Sequence, residues 1–269
     1  MTQSKKTMAA KNRPLTYAFW NNKGGTGKTS LVVNLGALYA KQGANVCVLD
    51  YDFRAPSLNV LFKAKPDHWL NDYLEGNCSI IDTLVDESTK FNLRGKLWVG
   101  FSNPSLEALK NIMSKDRRWE VKALSRTLSG KKQIIEEKKV DYLIFDTSPG
   151  AQYSSINALA AADIVSLVMK ADEFDLEGTK ELSKGVYEAL GRKSGVVLNK
   201  IPLEQIAAGG GAEKFGRTIE AEVGLPLVGM IPCMCELMAM GGKTIYTLEK
   251  PDHAFTRSIA RISETLGNM

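Results

Sequence analysis

Residues 22–29 read Asn-Lys-Gly-Gly-Thr-Gly-Lys-Thr and lie between an apolar stretch, 15–20, and an amphipathic one, 31–40. A glycine-rich turn between a strand and a helix directs several backbone N–H groups at one point, where the helix dipole adds positive charge. Lys28 can reach terminal phosphate oxygens, and the hydroxyl of Thr29 can bind Mg²⁺. The stretch therefore predicts a loop that binds the phosphates of a nucleoside triphosphate.

Two residues set this loop apart from the usual phosphate-loop pattern. Asn22 stands where glycine is usual, and asparagine is among the few other residues that tolerate left-handed backbone. Lys23 begins the loop, at a position where a lysine is not needed to hold the nucleotide of its own chain. Of these two departures, the additional lysine, Lys23, is the more informative.

The string Lys-Gly-Gly-x-Gly-Lys-Thr resembles the deviant phosphate loop (deviant Walker A) of the MinD/ParA ATPases. The wider group includes nitrogenase iron protein, the arsenite-pump ATPases and iron–sulfur carriers. In that family the equivalent of Lys23 crosses to the nucleotide of the partner subunit, so the resemblance implies a homodimer with ATP sandwiched between subunits. It also implies nucleotide contacts along the whole loop, from Lys23, Gly24, Gly25, Thr26, Gly27, Lys28, Thr29 and Ser30.

Composition narrows the class of protein. The chain has 269 residues, of which 44% are hydrophobic, and this suits one large α/β domain with a sizeable core. No run approaches the roughly 18 apolar residues of a membrane span. Residues 1–13 lack an apolar signal core, and four cysteines in a chain this long do not form a disulfide framework. We therefore expect a cytoplasmic protein.

Apolar strand patterns alternate with helical ones along the chain. The predicted strands are 15–20, 45–50, 96–101, 140–145, 164–170, 195–199 and 226–231. The predicted helices are 28–42, 67–76, 79–86, a stretch from 103 to 139 broken at Gly130, 156–162, 176–190, 212–222 and 254–266. The alternation predicts the α/β P-loop NTPase fold, a single domain at 14–269 with a mostly parallel sheet and helices on both faces. A flexible basic tail, 1–13, precedes it.

Acidic residues follow two of these strands. Asp52 comes after the second strand, and strands in such sheets deliver their carboxyl ends to the ligand crevice. Its stretch is similar to the family's first switch, which implies that Asp52 positions the attacking water or a Mg²⁺-bound water. Asp146 ends the strand 140–145 and can hold Mg²⁺ through water. Gly150 lets the next segment move toward a γ-phosphate, as in the family's second switch.

The strand 195–199 ends in Asn199, followed by Lys200. GTPases usually place an aspartate two residues after the lysine of this pair, but this chain has Pro202, so guanine would leave its donors unpaired. The Asn199 amide can instead pair with adenine, which favours ATP over GTP. Likeness to the family also assigns Pro232 and Cys233 to the lining of the base.

Positive charge is concentrated in residues 110–139, which hold ten Lys or Arg against four acidic residues. Concentrated positive charge can indicate an anionic partner such as non-specific DNA, although a solvated helix face is more common.

The apolar stripe of residues 254–266 could lie on a membrane surface, but such a stripe more often indicates a helix that packs on the core.

Cys233 and Cys235 form the one close cysteine pair of the sequence. Two such pairs in a homodimer could bind a soft metal or an iron–sulfur cluster, but cysteine beside an apolar strand is also ordinary packing.

From the loop, the strand-ending residues and the family resemblance together, we expect an ATP-dependent dimerising ATPase that positions or segregates cargo and is stimulated by a partner protein. The alternatives are a metallocluster-insertion or soft-metal-handling ATPase related to nitrogenase iron protein, and a nucleotide-sensing regulator in which hydrolysis is incidental.

Overall fold

The computed structural model of the chain describes residues 13–170, 185, 190–239 and 244–269. Its strands are Leu15–Trp20 (β1), Asn45–Tyr51 (β2), Leu84–Asp86 (β3), Lys96–Gly100 (β4), Tyr142–Thr147 (β5), Ile164–Met169 (β6), Lys193–Ile201 (β7) and Leu227–Pro232 (β8). They form one sheet in the order β3-β4-β2-β5-β1-β6-β7-β8. Among these described strands, β3 alone runs antiparallel to its neighbour. The mostly parallel sheet predicted from the alternating pattern is confirmed.

The helices cover both faces of this sheet. Over the described residues they are Lys28–Lys41 (α1), Leu58–Leu61 (α2), Leu70–Glu75 (α3), Leu106–Met113 (α4), Arg117–Lys138 (α5), Tyr153–Ala161 (α6), Leu203–Ala208 (α7), Ala212–Val223 (α8), Cys235–Ala239 (α9), Tyr246–Glu249 (α10) and Ala254–Asn268 (α11). No helix in this part of the chain has both the length and the apolar character that a bilayer span requires. The predicted helix 176–190, apart from residues 185 and 190, and residues 1–12 of the predicted tail lie outside the described residues.

Each face of the sheet has its own apolar core. Side chains of α1, α10 and α11 pack on one face, and those of α3, α5, α6 and α8 pack on the other. The stripe of α11 is almost entirely buried, since none of its four large apolar side chains is more than 3% exposed. This confirms the core-packing interpretation of that helix and leaves no apolar stripe on it for a membrane surface.

The predicted helix break at Gly130 is wrong. Helix α5 runs through this residue without interruption, and the break lies before it, where the Asp116 side chain accepts a hydrogen bond of 2.9 Å from Trp119 N and begins the helix. A Cβ at position 130 would lie 2.8 Å from the Tyr73 hydroxyl oxygen. The glycine therefore serves close packing of α5 on α3 rather than a change of direction.

The predicted helix 79–86 is also wrong. Residues Ile80–Thr83 form a single 3₁₀ turn, and β3 follows at once. Residues 84–86 pair with residues 98–100 of β4. Hydrogen bonding to β4 therefore stabilises these residues as a strand. Tertiary pairing of this kind overrides the local preference that the sequence displays.

Candidate nucleotide-binding site

The glycine-rich loop joins the buried strand β1 to the first turn of α1, as predicted. Its left-handed residues are Gly25 and Gly27, with φ of 79° and 85°, and Asn22 is not one of them. The tolerance for left-handed backbone invoked for Asn22 is therefore not used. Gly27 is required for a second reason, because a Cβ there would lie 2.4 Å from Nδ2 of Asn199.

Lys28 and Asp146 meet beneath this loop. The Lys28 ammonium group donates a hydrogen bond to Oδ1 of Asp146, and the two side chains are 5% and 1% exposed. The second carboxylate oxygen, Oδ2, is buried and accepts no hydrogen bond from the described residues. Such an oxygen is suited to a Mg²⁺-bound water, and the half-buried Thr29 hydroxyl is an oxygen ligand of the same class. The residues present thus fit a magnesium ion.

Asp50 lies directly opposite Asp146, because the two residues are register partners on the adjacent strands β2 and β5. Burial, and secondarily the Asp146 carboxylate, raises the pKa of Asp50 well above its usual range. The Asp50 carboxylate accepts from the backbone N–H of Asp52 at 3.0 Å and of Leu58 at 3.4 Å. It therefore fastens both ends of the segment that follows β2.

Asp52 lies just past the end of β2 and is partly exposed at the site. Its Oδ1 accepts hydrogen bonds from the backbone N–H of Arg54 and Ala55, at 3.3 and 3.1 Å, and from the hydroxyl of Ser148, at 2.8 Å. The sequence motifs indicated Asp52 but not Ser148. The missing information was which strands are neighbours, since β2 and β5 are far apart in sequence.

Gly150 lies beside the beginning of the loop. Its backbone N–H donates to Asn21 O at 2.8 Å, and its carbonyl oxygen accepts from the Trp20 indole N–H at 2.8 Å. The φ of Gly150 is 78°, so the glycine is needed for its left-handed backbone. The segment after β5 is therefore fixed to the strand that carries the loop.

The end of β7 contacts the loop from the other side. The Asn199 amide donates from Nδ2 to Thr26 O at 2.7 Å and accepts at Oδ1 from Lys200 N. Lys200, with φ of 58°, donates from Nζ to Gly25 O at 2.8 Å. Cys233 N donates to Ile201 O, which places Cys233 next to this strand end. Adenine recognition by Asn199, Pro232 and Cys233 stays a prediction.

Four of the residues from Lys23 to Ser30 are open to solvent. Lys23, Gly24, Gly25 and Ser30 are exposed. Large apolar side chains are exposed at the same edge of the sheet, each in the first turn of the helix that follows β2, β4, β5 or β7. They are Val60, Leu106, Tyr153 and Leu203, with exposed fractions between 59% and 71%.

The described residues add no His, Cys, Asp or Glu cluster to the cysteine pair. Cys233 is half-buried and Cys235 is exposed, and both are free thiols. The described residues contain no group of three or more His, Cys, Asp or Glu that could hold a metal ion. A metal at this pair would therefore need ligands from outside the described part of the subunit.

Comparison with known proteins identifies the family of the chain. A family model described as an AAA domain matches residues 15–194, about two thirds of the chain. The sporulation initiation inhibitor protein Soj of Bacillus subtilis is 31% identical over 168 residues, which cover 61% of this chain and 62% of Soj. The chain belongs to the MinD/ParA family of P-loop ATPases. It spans under two thirds of the length of Soj and of a MinD relative.

Solved structures of similar proteins share the fold. MinD from Pyrococcus horikoshii OT3, complexed with Mg-ADP, superposes with a TM-score of 0.72 at 18% identity, covering 94% of this chain and 96% of its own. A putative plasmid partition protein from Borrelia burgdorferi B31, bound to AMPPNP, gives 0.73 at 18% identity, with coverages of 94% and 98%. At 18% identity, this similarity establishes the α/β fold of the present chain, but it does not establish which ligands the chain binds.

Proposed function

We propose that this family member is a dimerising ATPase switch that binds ATP with Mg²⁺ and hydrolyses it to ADP and phosphate, thereby positioning or segregating cargo. The observation that carries the proposal is the convergence of Lys28, Asp146 and Asp52 on the glycine-rich loop at the carboxyl edge of the sheet. Phosphates, a magnesium ion and an attacking water each need one of these groups.

Each side chain has a distinct task in this proposal. Lys28 and the loop N–H groups hold the phosphate oxygens, while Thr29 and Asp146 would hold Mg²⁺, which neutralises charge on those oxygens. Asp52 orients the water for attack on the γ-phosphorus. Lys23 is exposed and would supply charge to the nucleotide of the partner subunit, much as an arginine finger does.

The exposed apolar side chains at the nucleotide edge support a dimer. Val60, Leu106, Tyr153 and Leu203 lie on four different helices around the loop. Apolar surface in contact with water is unfavourable, and exposed apolar side chains beside a binding site are a surface that a protein interface can cover. A face-to-face dimer would cover this rim when ATP is bound, and hydrolysis, stimulated by a partner protein, would release it. The proposed compartment is the cytoplasm, supported by four free thiols.

Replacement of Asp52 tests the hydrolytic step. Asp52→Ala should keep ATP binding and the ATP-dependent dimer but reduce hydrolysis by about 100-fold or more, because a group that activates water acts in the transition state. Phosphate release measured beside light scattering gives both quantities. Asp67→Ala, which removes an exposed carboxylate that has no part in the proposed mechanism, is the matched control. Normal hydrolysis by Asp52→Ala would refute the role of this residue.

Nucleotide choice tests the base-recognition argument. Calorimetry with Mg-ATP and Mg-GTP should show a clear preference for ATP, because Pro202 replaces the aspartate that guanine requires. Equal affinities would contradict the assignment of Asn199.

We also propose that the basic segment 110–139 contributes to binding of non-specific DNA. Several of its lysines have partners in other elements: Lys131 donates to Ala161 O at 2.8 Å, Lys138 lies over the Trp98 ring, and Lys115 pairs with Glu75 at 2.6 Å. Lys139 is exposed, and Lys132 is 76% exposed with only a long contact of 3.8 Å to Glu136 of its own helix, so these two are better candidates. Duplex binding by the ATP-bound dimer should fall steeply with salt and fall further in Lys132→Gln/Lys139→Asn. Absence of a gel shift at low salt would favour a solvated helix.

A further inference from the structure

We propose that Ser148 is a positioning residue for hydrolysis, and that its hydroxyl orients the Asp52 carboxylate toward the attacking water. The Ser148 Oγ–H donates to Asp52 Oδ1 at 2.8 Å, and Ser148 is 1% exposed. The inference rests on the proposed function, because it assigns Ser148 a part in the reaction that Asp52 would carry out.

The contact follows from the register of two neighbouring strands. On β2 and β5, Asp50 is paired with Asp146 and Tyr51 with Thr147. The residues that directly follow these two strands are Asp52 and Ser148. Successive side chains of a strand alternate between faces, and continuing this alternation one residue past each strand places Asp52 and Ser148 on the same side, in agreement with their hydrogen bond. The pairing of the two strands is therefore sufficient to place the Ser148 hydroxyl beside the Asp52 carboxylate.

The hydrogen bonds divide the two oxygens of the carboxylate. Oδ1 accepts from Ser148 and from two backbone N–H groups of the following turn. Oδ2 accepts no hydrogen bond from the described residues. An aspartate has only two side-chain torsions, so three hydrogen bonds to one oxygen fix the direction of the other. Oδ2 is left as the acceptor that can orient a water.

The donor itself is held firmly. Ser148 O accepts a hydrogen bond of 2.9 Å from the Ser155 hydroxyl of α6, and Ser155 is fully buried. Two residues further on, Gly150 is hydrogen-bonded to Trp20, the last residue of β1, and to Asn21, which follows it. The Ser148 hydroxyl therefore connects the segment after β5 to the water-activating residue after β2.

A double-mutant cycle tests this role. Ser148→Ala should lower kcat for ATP hydrolysis by about tenfold, the loss expected for a hydrogen bond to a charged group, with KM for ATP unchanged within about twofold. In an Asp52→Asn background, Ser148→Ala should have no further effect on kcat, because the carboxylate it orients is already gone. Ser148→Thr retains the hydroxyl and should recover most of the rate.

The control is Thr147→Val, one residue earlier. Its buried hydroxyl donates to Phe19 O on the other side of the strand, so the variant loses a comparable hydrogen bond that does not reach Asp52. Thermal unfolding should fall similarly in Thr147→Val and Ser148→Ala, whereas kcat should fall only in the latter.

The outcomes separate this inference from the proposed function. Normal kcat in Ser148→Ala, with hydrolysis lost in Asp52→Asn, would overturn the role of Ser148 and leave the ATPase intact. Equal losses of kcat in Ser148→Ala and Thr147→Val, or an undiminished effect of Ser148→Ala in the Asp52→Asn background, would show a general structural role. A parent protein that does not hydrolyse ATP, or an Asp52→Asn protein that does so normally, would overturn the proposed function and this inference with it.

Discussion

Lys23 and Lys28 belong to one loop and carry the same charge, yet they differ in solvent exposure. Lys28 is the first residue of α1, is 5% exposed and forms an ion pair with the buried Asp146. Lys23 is exposed at the mouth of the loop. Residues of one type in one short loop thus differ in burial, and in the proposed function this difference separates action on a subunit's own nucleotide from action on the partner's nucleotide.

The energetic settings of the two lysines differ accordingly. Removing a buried ammonium group from water is costly unless it is paired, and Asp146 of the same subunit provides the partner of Lys28. Charge at an exposed position is screened by water, so it acts weakly on its surroundings. A partner subunit that covered Lys23 would reduce this screening and strengthen its interaction with a bound nucleotide.

The largest expected effect concerns ATP binding by the monomer. Lys28→Met should weaken ATP binding by about 30-fold or more, because a charge-assisted hydrogen bond to phosphate is lost. Lys23→Met should leave this affinity within about threefold, since an exposed charge contributes little within its own subunit. Calorimetry below the concentration of dimer formation measures both.

Folding must be controlled in that comparison, because Lys28→Met leaves Asp146 buried without its cation. Lys28→Met/Asp146→Asn removes both charges, and circular dichroism reports whether each variant is folded. A larger loss of affinity in Lys23→Met than in folded Lys28→Met would reverse the assignment of the two lysines.

The next effect concerns hydrolysis and distinguishes action within a subunit from action across the dimer. Lys23→Met and Asp52→Ala should each be nearly inactive alone. In a mixed dimer, one site has its own Asp52 and receives Lys23 from the partner, so it is complete. An equimolar mixture should therefore recover about a quarter of the parent rate of phosphate release, if subunits of the two-fold dimer exchange at random.

The informative control for this mixing experiment is Lys28→Met with Asp52→Ala. Lys28 acts within its own subunit, so no site in that mixed dimer is complete and no activity should return. Failure of the Lys23→Met mixture to recover activity, although light scattering shows mixed dimers, would place Lys23 in the service of its own nucleotide.

The smallest effect concerns Lys200, a third lysine at the same loop. Its ammonium group donates to Gly25 O at 2.8 Å from the end of β7. Lys200→Met should lower ATP affinity by only about twofold to fivefold, because a hydrogen bond at an exposed position contributes roughly 1 kcal/mol or less. Lys193→Met, at the other end of β7, is the matched control. A loss as large as that of Lys28→Met would make Lys200 a principal phosphate ligand.

The sequence predicted the strand-ending residues well but not their contacts. Asp52, Asp146 and Asn199 follow apolar strands, and parallel strands bring their carboxyl ends to one edge, so their approach to the loop was foreseeable. The hydrogen bonds of Ser148 and Lys200 were not, because they depend on which strands are adjacent. The break at Gly130 was mistaken because a glycine in a helix can serve packing as well as termination.

The sequence by itself determined the glycine-rich turn between β1 and α1, the alternation of strands and helices and the apolar stripe of α11. Each of these is encoded within a few neighbouring residues, through backbone preference and periodicity. Tertiary structure alone decided that Lys28 is buried while Lys23 is exposed, that Ser148 meets Asp52, and that Lys131 and Lys138 of the basic segment have internal partners. These properties arise where distant segments pack together, so no local pattern of residues can specify them.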